Sequence, residues 1–302
     1  MTTFIQDHIS DLWILATASL VAVSCALVGV FLILRRQSLM GDAISHSVLL
    51  GIVLAFLLSG TRDLTILLGG AVVIGLITAW LSDTLHKVGN LQKDAGIGIV
   101  FTLFFAIGVI LISLYAGQID LDQECVLYGE IAFVPFDTLI WGDMENGIDL
   151  GPRAFWSISI VFALVLASIW IAFGRLQTVA FHPSLAASLG INVLFWHYFL
   201  MTLVSLTTVA SFDAVGAILV VALLVIPATS AYLLATSLKN MLWLAAAYAE
   251  GAVLTGYALA FWLDSSISAS IAVCAGGLLF LTVTGLQIHK LRLQKQTVKT
   301  IA

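Results

Sequence analysis

Asp42 and His46 are the two residues of this sequence best suited to chemistry. They stand four positions apart, between two long apolar runs. If a helix begins at Gly41 or Asp42, the carboxylate and the imidazole lie one turn apart on one face and can reach the same small ligand. This pair of groups suits Mn(II), Fe(II) or Zn(II), and it suits Cu(I) poorly. A simpler role is open too, with Asp42 as the N-cap of the helix and His46 near the headgroups of a bilayer.

The elements that must hold this pair are mostly apolar. Of 302 residues, 61% are hydrophobic and 10% are charged, and the mean hydropathy is +1.11. A chain of this length cannot bury so much apolar surface in one water-soluble core. The composition therefore predicts an all-α polytopic membrane protein, with residues 1–302 forming a single transmembrane domain. A net charge of −5 argues against nucleic acid as a partner.

Nine apolar runs approach the roughly 20 residues that a helix needs to cross a bilayer. They are residues 12–34, 41–59, 64–81, 95–115, 154–173, 193–210, 214–235, 241–263 and 267–288. Two are doubtful as simple crossings: the second is short and starts in polar sequence, and the seventh contains Pro227, which should break or kink a helix. Discontinuous helices of this kind are where transporters build their sites.

The basic residues predict the orientation of these runs. With the N-terminus outside, ten of them face the cytosol and two, Arg62 and Arg153, face outward. The ten are Arg35, Arg36, Lys87, Lys93, Arg175, Lys239, Lys290, Arg292, Lys295 and Lys299. The positive-inside rule therefore predicts a multi-pass protein with its N-terminus outside and a cytosolic tail at residues 289–302.

The longest connection, residues 116–153, falls outside the membrane in this orientation. Its acidic residues are Asp120, Asp122, Glu124, Glu130, Asp137, Asp143, Glu145 and Asp149, against one arginine. It is either a passive acidic loop or a surface that docks a partner or concentrates cations through its field.

Two cytosolic segments could contact a partner, although both could be ordinary loops. Residues 176–189 read as a loop in which His182-Pro183 starts a short helix, Ser184 to Leu189, ended by Gly190. Residues 228–240 follow Pro227 and read as one or two short helices. Contacts there are predicted for Ala228, Tyr232, Leu234 and Leu238. No ATP-binding motif is present, so any ATPase must be another chain.

Three further polar residues lie in or beside the apolar runs. Glu250 is near the middle of the eighth run, where a lipid-facing carboxylate would cost at least about 2.5 kcal/mol. It must face protein or water, or be protonated, and it is a possible pathway residue. His197 and Asp213 bracket the sixth run and are predicted to be interface or cap residues.

Four stretches resemble the permease subunits of manganese, zinc and chelated-iron ABC importers. They are LRRQSLMGDAISHSVLLGIVLAF at 34–56, HPSLAASLGI at 182–191, WHYFLM at 196–201 and AVGAILVVALLVIPATSAYLL at 214–234. The stretch DLDQECVLYGEIAFVPFDTL at 120–139 is similar to the external loop of manganese- and iron-type members. That similarity favours manganese or iron over zinc.

The resemblance implies a permease fold like that of vitamin-B12 importers, in the bacterial cytoplasmic membrane. It implies a non-enzymatic subunit with no permanently bound cofactor, whose cargo is a divalent metal ion. The implied partners are a second permease copy or paralogue, two ATPase subunits and an external metal-binding protein. By resemblance Asp42 and His46 hold the metal and 228–240 is the main coupling segment. Glu250 stands where the family has a small residue.

Two other functions fit parts of the sequence. An ion-coupled secondary transporter could use Asp42, His46 and Glu250 as a proton relay, but it predicts an internal repeat, and none is convincing. An intramembrane enzyme could use Asp42 and His46 as acid and base, but it needs a third group to orient the histidine. One carboxylate and one imidazole do not select among divalent ions.

Overall fold

The structure is a computed structural model that describes residues 2–61, 64–115, 130–141 and 148–301. The helices are α1 (Thr2–Leu34), α2 (Leu39–Ser59), α3 (Leu64–Gly89), α4 (Lys93–Tyr115), α5 (Arg153–Phe181), α6 (Pro183–Ser188), α7 (Val193–Val215), α8 (Ala217–Leu234), α9 (Leu238–Leu263) and α10 (Ile267–Ile301). Between α4 and α5 lie a 3₁₀ helix, Ile131–Phe136, and an antiparallel hairpin of β1 (Thr138–Trp141) and β2 (Ile148–Pro152).

Nine of these helices, all except α6, are long and apolar enough to cross a membrane. The prediction of a nearly all-helical polytopic membrane protein is therefore confirmed. Spans joined by short connections run in opposite directions, so α1, α3, α5 and α8 end where α2, α4, α7 and α9 begin. We call this the basic end of the bundle, because Arg35, Lys87, Lys93, Arg175 and Lys239 lie there.

Helix α1 lies at the centre of the packing. It contacts α5, α7, α8 and α9, and most of its membrane-spanning segment is buried. A Cβ at Gly29 would collide with the carbonyl oxygen of Leu224 on α8. The absence of a side chain at Gly29 therefore lets the two backbones touch, as small residues do in membrane helix pairs.

Helix α8 is continuous through Pro227, which lies inside Ala217–Leu234. The predicted break at Pro227 was wrong, and so were separate short helices over 228–240, since residues 228–234 finish α8 and 238–240 start α9. The neighbours Leu224 and Ala228 are fully buried. Packing on both sides of the proline holds the helix together despite the missing backbone hydrogen bond, as happens in membrane bundles.

The connection from α5 to α7 also differs from its predicted form. Helix α5 extends to Phe181, so residues 176–181 are helical rather than loop. The predicted short helix is present as α6, begun by Pro183 and followed by Gly190 with φ of 76°.

Helices α2 and α3 cross at a contact between glycines. A Cβ at Gly70 would lie 2.6 Å from the carbonyl oxygen of Gly51, and one at Gly51 would lie 2.6 Å from Cα of Ala71. The two backbones therefore touch, which fixes α2, the helix that carries Asp42 and His46, against α3.

Candidate metal pathway

The structure brings Asp42 and His46 together on α2. The His46 Nε2 lies 3.4 Å from the Asp42 Oδ1, and about a third of each side chain is exposed, 33% and 36% respectively. Helix α2 begins at Leu39 with Ser38 in the N-cap position. Asp42 is therefore inside the first turn, and its alternative role as the N-cap was wrong.

Two aromatic rings of α4 hold the imidazole in place. The His46 ring stacks on Phe101 with 5.7 Å between ring centroids, and Phe105 meets it edge-on at 5.8 Å. Because the ring is packed on two sides, the direction of its nitrogens is set before any ligand arrives. Preorganisation of this kind lowers the entropic cost of binding.

The separation of the two donor atoms suits one shared cation. A charge-assisted hydrogen bond would draw the nitrogen and the oxygen to about 2.7–2.9 Å, which is shorter than observed. Two ligand atoms each about 2.1 Å from one ion are roughly 3.0–3.4 Å apart when the angle at the metal is between octahedral and tetrahedral. The separation of Asp42 and His46 is therefore compatible with adjacent positions on a single divalent ion, and their role as metal ligands stays a prediction.

One chain supplies only part of such a site. Among the residues that the structure describes, no group of three or more histidine, cysteine or acidic side chains could hold a metal. The nearby hydroxyls are engaged with α2 itself, since Ser45 donates to the carbonyl of Gly41 at 2.8 Å and Ser47 to that of Ile44 at 3.0 Å. Further ligands must come from water, another molecule or the rest of the chain.

The structure does not place Glu250 beside this pair. Glu250 accepts a hydrogen bond from the Ser19 hydroxyl at 2.8 Å. Its helix, α9, packs chiefly on α1, α8 and α10, whereas α2 packs chiefly on α3, α4 and α7. A role for Glu250 in the pathway stays a prediction.

A second acid–imidazole pair, absent from the sequence predictions, links α3 to α7. The His197 Nε2 lies 2.6 Å from the Asp83 Oδ2, and the two side chains are only 7% and 13% exposed. His197 is therefore neither a cap nor an interface residue, which corrects that prediction; the side chain of Asp213 lies outside the described residues. The sequence signal was weak, because nothing in it indicates that these two helices are neighbours.

Basic groups surround Asp83. The charges of Lys87 and Lys93 act on its carboxylate, and it in turn acts on Arg35 in the turn before α2. Burial lowers the pKa of the Arg35 guanidinium, and the Asp83 carboxylate partly opposes that shift. With so much positive charge nearby, Asp83 is poorly placed to attract a cation, and it acts instead as the counter-ion that joins α3, α7 and the α1–α2 turn.

Part of the acidic connection has a structural role. Glu130 accepts a hydrogen bond from the Ile267 backbone N–H at 3.2 Å, at the start of α10. Asp137 lies 3.8 Å from Arg153 Nε, at the start of α5. Five acids of this connection lie outside the described residues, namely Asp120, Asp122, Glu124, Asp143 and Glu145. The side chain of Asp149 lies outside them too. The docking or antechamber role stays a prediction.

The predicted partner-contact residues differ in accessibility. Tyr232 and Leu234 are exposed at the end of α8, whereas Ala228 and Leu238 are buried. The short helix α6 presents the large apolar side chain of Leu185 outward, and Leu189 directly after the helix is exposed too. The basic end therefore offers two exposed apolar patches.

Comparison with known proteins identifies the family. The ABC 3 transport family model matches residues 11–285. The manganese transport system membrane protein MntD of Bacillus subtilis is 47% identical, over 93% of this chain and 96% of that protein. The zinc transport system membrane protein TroD of Treponema pallidum is 42% identical, over 86% and 69%.

A solved structure is similar over the same length. PsaBC from Streptococcus pneumoniae in complex with Fab has a TM-score of 0.74 and 32% identity, over 93% of this chain and 95% of that one. A family match over most of the sequence thus coincides with a shared fold. The chain belongs to the ABC 3 transport family.

Proposed function

We propose that this chain is the membrane-spanning permease subunit of an ATP-binding-cassette importer that carries a divalent transition metal into the bacterial cytosol. The observation that supports the cargo is the Asp42–His46 pair, with donor atoms 3.4 Å apart inside a membrane-spanning helix. Ionisable groups within membrane-spanning segments are expensive and often mark ion pathways. Manganese is favoured, then iron or zinc, because MntD shares more of this sequence than TroD.

The metal site is completed in an assembly. Two donors per chain are too few for a divalent ion that takes four to six ligands. A second permease copy or a paralogue would bring its own pair, and a two-fold axis between the copies would place like residues opposite each other. Water can fill the remaining positions.

The basic end faces the cytosol in this proposal, and the N-terminus is outside. Lys and Arg accumulate on cytosolic loops of membrane proteins, and nine successive spans put the two termini on opposite sides. Asp42 and His46 then lie one to two helical turns from the cytosolic end of α2. An external binding protein would deliver the ion at the opposite end, where the acidic connection and the hairpin are.

Two ATPase subunits dock at the basic end. Segment 228–240 stays a candidate through Tyr232 and Leu234, and α6 is a second candidate through Leu185 and Leu189, since all four side chains are exposed. An apolar helix face entering a groove is a recurrent mode of protein recognition.

The function is tested by uptake of radiolabelled Mn(II) into cells that lack other manganese importers. Cells expressing the permease with its ATPase and binding protein should accumulate Mn(II), and unlabelled Fe(II) or Zn(II) should compete less well than Mn(II). Replacing the phosphate-binding lysine of the ATPase should stop uptake. Uptake that continues without ATP hydrolysis and follows the proton gradient would instead support a secondary transporter.

A further inference from the structure

An apolar groove opens on the outer surface of the bundle, in the half nearer the basic end. It lies between α1, α5 and α9, and its volume is about 890 Å³. Its walls include Val23 and Leu27 on α1, Leu166 and Trp170 on α5, and Trp243 and Ala246 on α9. This surface would meet hydrocarbon chains in a bilayer.

One charged group, Lys239, stands at the mouth of the groove. Its Nζ lies 5.9 Å from the ring centroid of Phe173, which also lines the groove. Lys239 forms no ion pair with any residue that the structure describes. The groove thus joins an apolar interior to an ammonium group that has no anionic partner among the described residues.

The length of the groove along α9 is compatible with the thickness of one bilayer leaflet. From Lys239 to Ala246 the helix rises by about 10 Å, and half the hydrocarbon core of a bilayer is about 15 Å thick. Trp170 and Trp243, 86% and 79% exposed, flank the groove. Trp243 stands about 6 Å deeper than Lys239 along α9, near the depth at which tryptophan belts occur.

We propose that this groove binds an anionic phospholipid of the leaflet at the basic end, with the phosphate beside Lys239 and an acyl chain between α1, α5 and α9. The apolar walls accept the chain of any phospholipid, so the selectivity comes from charge. One lysine near an anionic surface corresponds to a preference of about fivefold over a zwitterionic lipid. The site is independent of the metal proposal, and only the naming of the leaflet as cytosolic depends on the proposed orientation.

The test uses brominated lipids, which quench tryptophan fluorescence on contact. Two single-tryptophan forms of the full chain are compared in bilayers: one keeps Trp243, and the other keeps Trp262, which is 81% exposed at the opposite end of the same helix. The mole fraction that quenches half of the Trp243 fluorescence should be about fivefold lower for brominated phosphatidylglycerol than for brominated phosphatidylcholine. Lys239→Gln should remove that difference, and the matched Lys290→Gln should keep it. Trp262 should respond equally to both lipids.

Two outcomes would overturn the proposal. Equal quenching of Trp243 by both lipids means that the groove holds unselected lipid. Absence of quenching at Trp243, with Trp262 quenched, means that protein covers the groove, most simply a second copy of the chain. If the single-tryptophan forms do not fold, native mass spectrometry of the otherwise unchanged protein decides: added phosphatidylglycerol should be retained about fivefold more than phosphatidylcholine, and Lys239→Gln should retain both equally.

Discussion

His197 and Asp83 form a buried polar link between α3 and α7, with 2.6 Å between Nε2 and Oδ2. The link lies near the basic end, where α3 ends and α7 begins. The same carboxylate acts on Arg35, only seven residues before Asp42. Asp83 therefore connects the helices that pack behind α2 to the turn that leads into it.

Asp83→Asn should destabilise the protein by about 1–3 kcal/mol, because the buried His197 imidazole would lose its carboxylate partner. His197→Gln should cost less, since Asp83 would still have Arg35, Lys87 and Lys93 around it. Thermal unfolding of the purified proteins gives the comparison. Asp94→Asn is the matched control, because Asp94 is exposed at the start of α4. A melting temperature for Asp83→Asn as high as that of the control would refute this role.

Gly70→Ala should destabilise the α2–α3 crossing by about 1–3 kcal/mol, the usual cost of overpacking. The new methyl group would lie 2.6 Å from the Gly51 carbonyl oxygen, and a backbone atom cannot rotate away. Gly69→Ala is the control one residue away, because a Cβ there has no neighbour within 4 Å among the described residues. Equal thermal stability of the two variants would mean that the helices do not touch at this point.

Cysteine labelling tests the orientation. In a background without Cys25, Cys125 and Cys274, cysteines at Gln118 and Asn146 should react with an impermeant thiol reagent from outside. Both positions lie outside the described residues, so Thr61→Cys, exposed at the same end of the bundle, is added. Ser188→Cys on α6 should react only after the membrane is opened. The reverse pattern would invert the topology.

Charge substitutions distinguish the two candidate ATPase contacts. Leu185→Glu tests α6 and Leu234→Glu tests the end of α8; both side chains are exposed, so neither change should unfold the permease. The substitution at the true contact should remove the ATPase from the purified complex or uncouple its activity from the loaded binding protein. Retention of full ATPase content and uptake by both variants would place the contact elsewhere.

The sequence predicted the parts of this fold that depend on local composition. Nine apolar runs correspond to nine candidate spans, and the four-residue spacing placed Asp42 beside His46. Both inferences need only the period and length of a helix. The break predicted at Pro227 failed because burial of Leu224 and Ala228 outweighs one missing backbone hydrogen bond.

Contacts between side chains that are far apart in the chain could not be predicted from the sequence. Asp83 and His197 are 114 positions apart, and neither residue signals the other. Glu250 could be recognised from the sequence as an acid inside an apolar run, but its partner Ser19 comes from a helix that no local pattern associates with α9. The aromatic support of His46 by Phe101 and Phe105 likewise depends on how α2 and α4 pack.

The initial rate of radiolabelled Mn(II) uptake by Asp42→Asn and His46→Ala tests the central claim most directly. Each substitution removes one donor atom from the pair that lies 3.4 Å apart, while the helix remains intact. Uptake should be abolished in both, with normal amounts of permease and ATPase in the membrane and normal uptake in the Asp94→Asn control. Wild-type uptake by either variant would show that the metal crosses the membrane without that ligand, and the account of the pathway would be wrong.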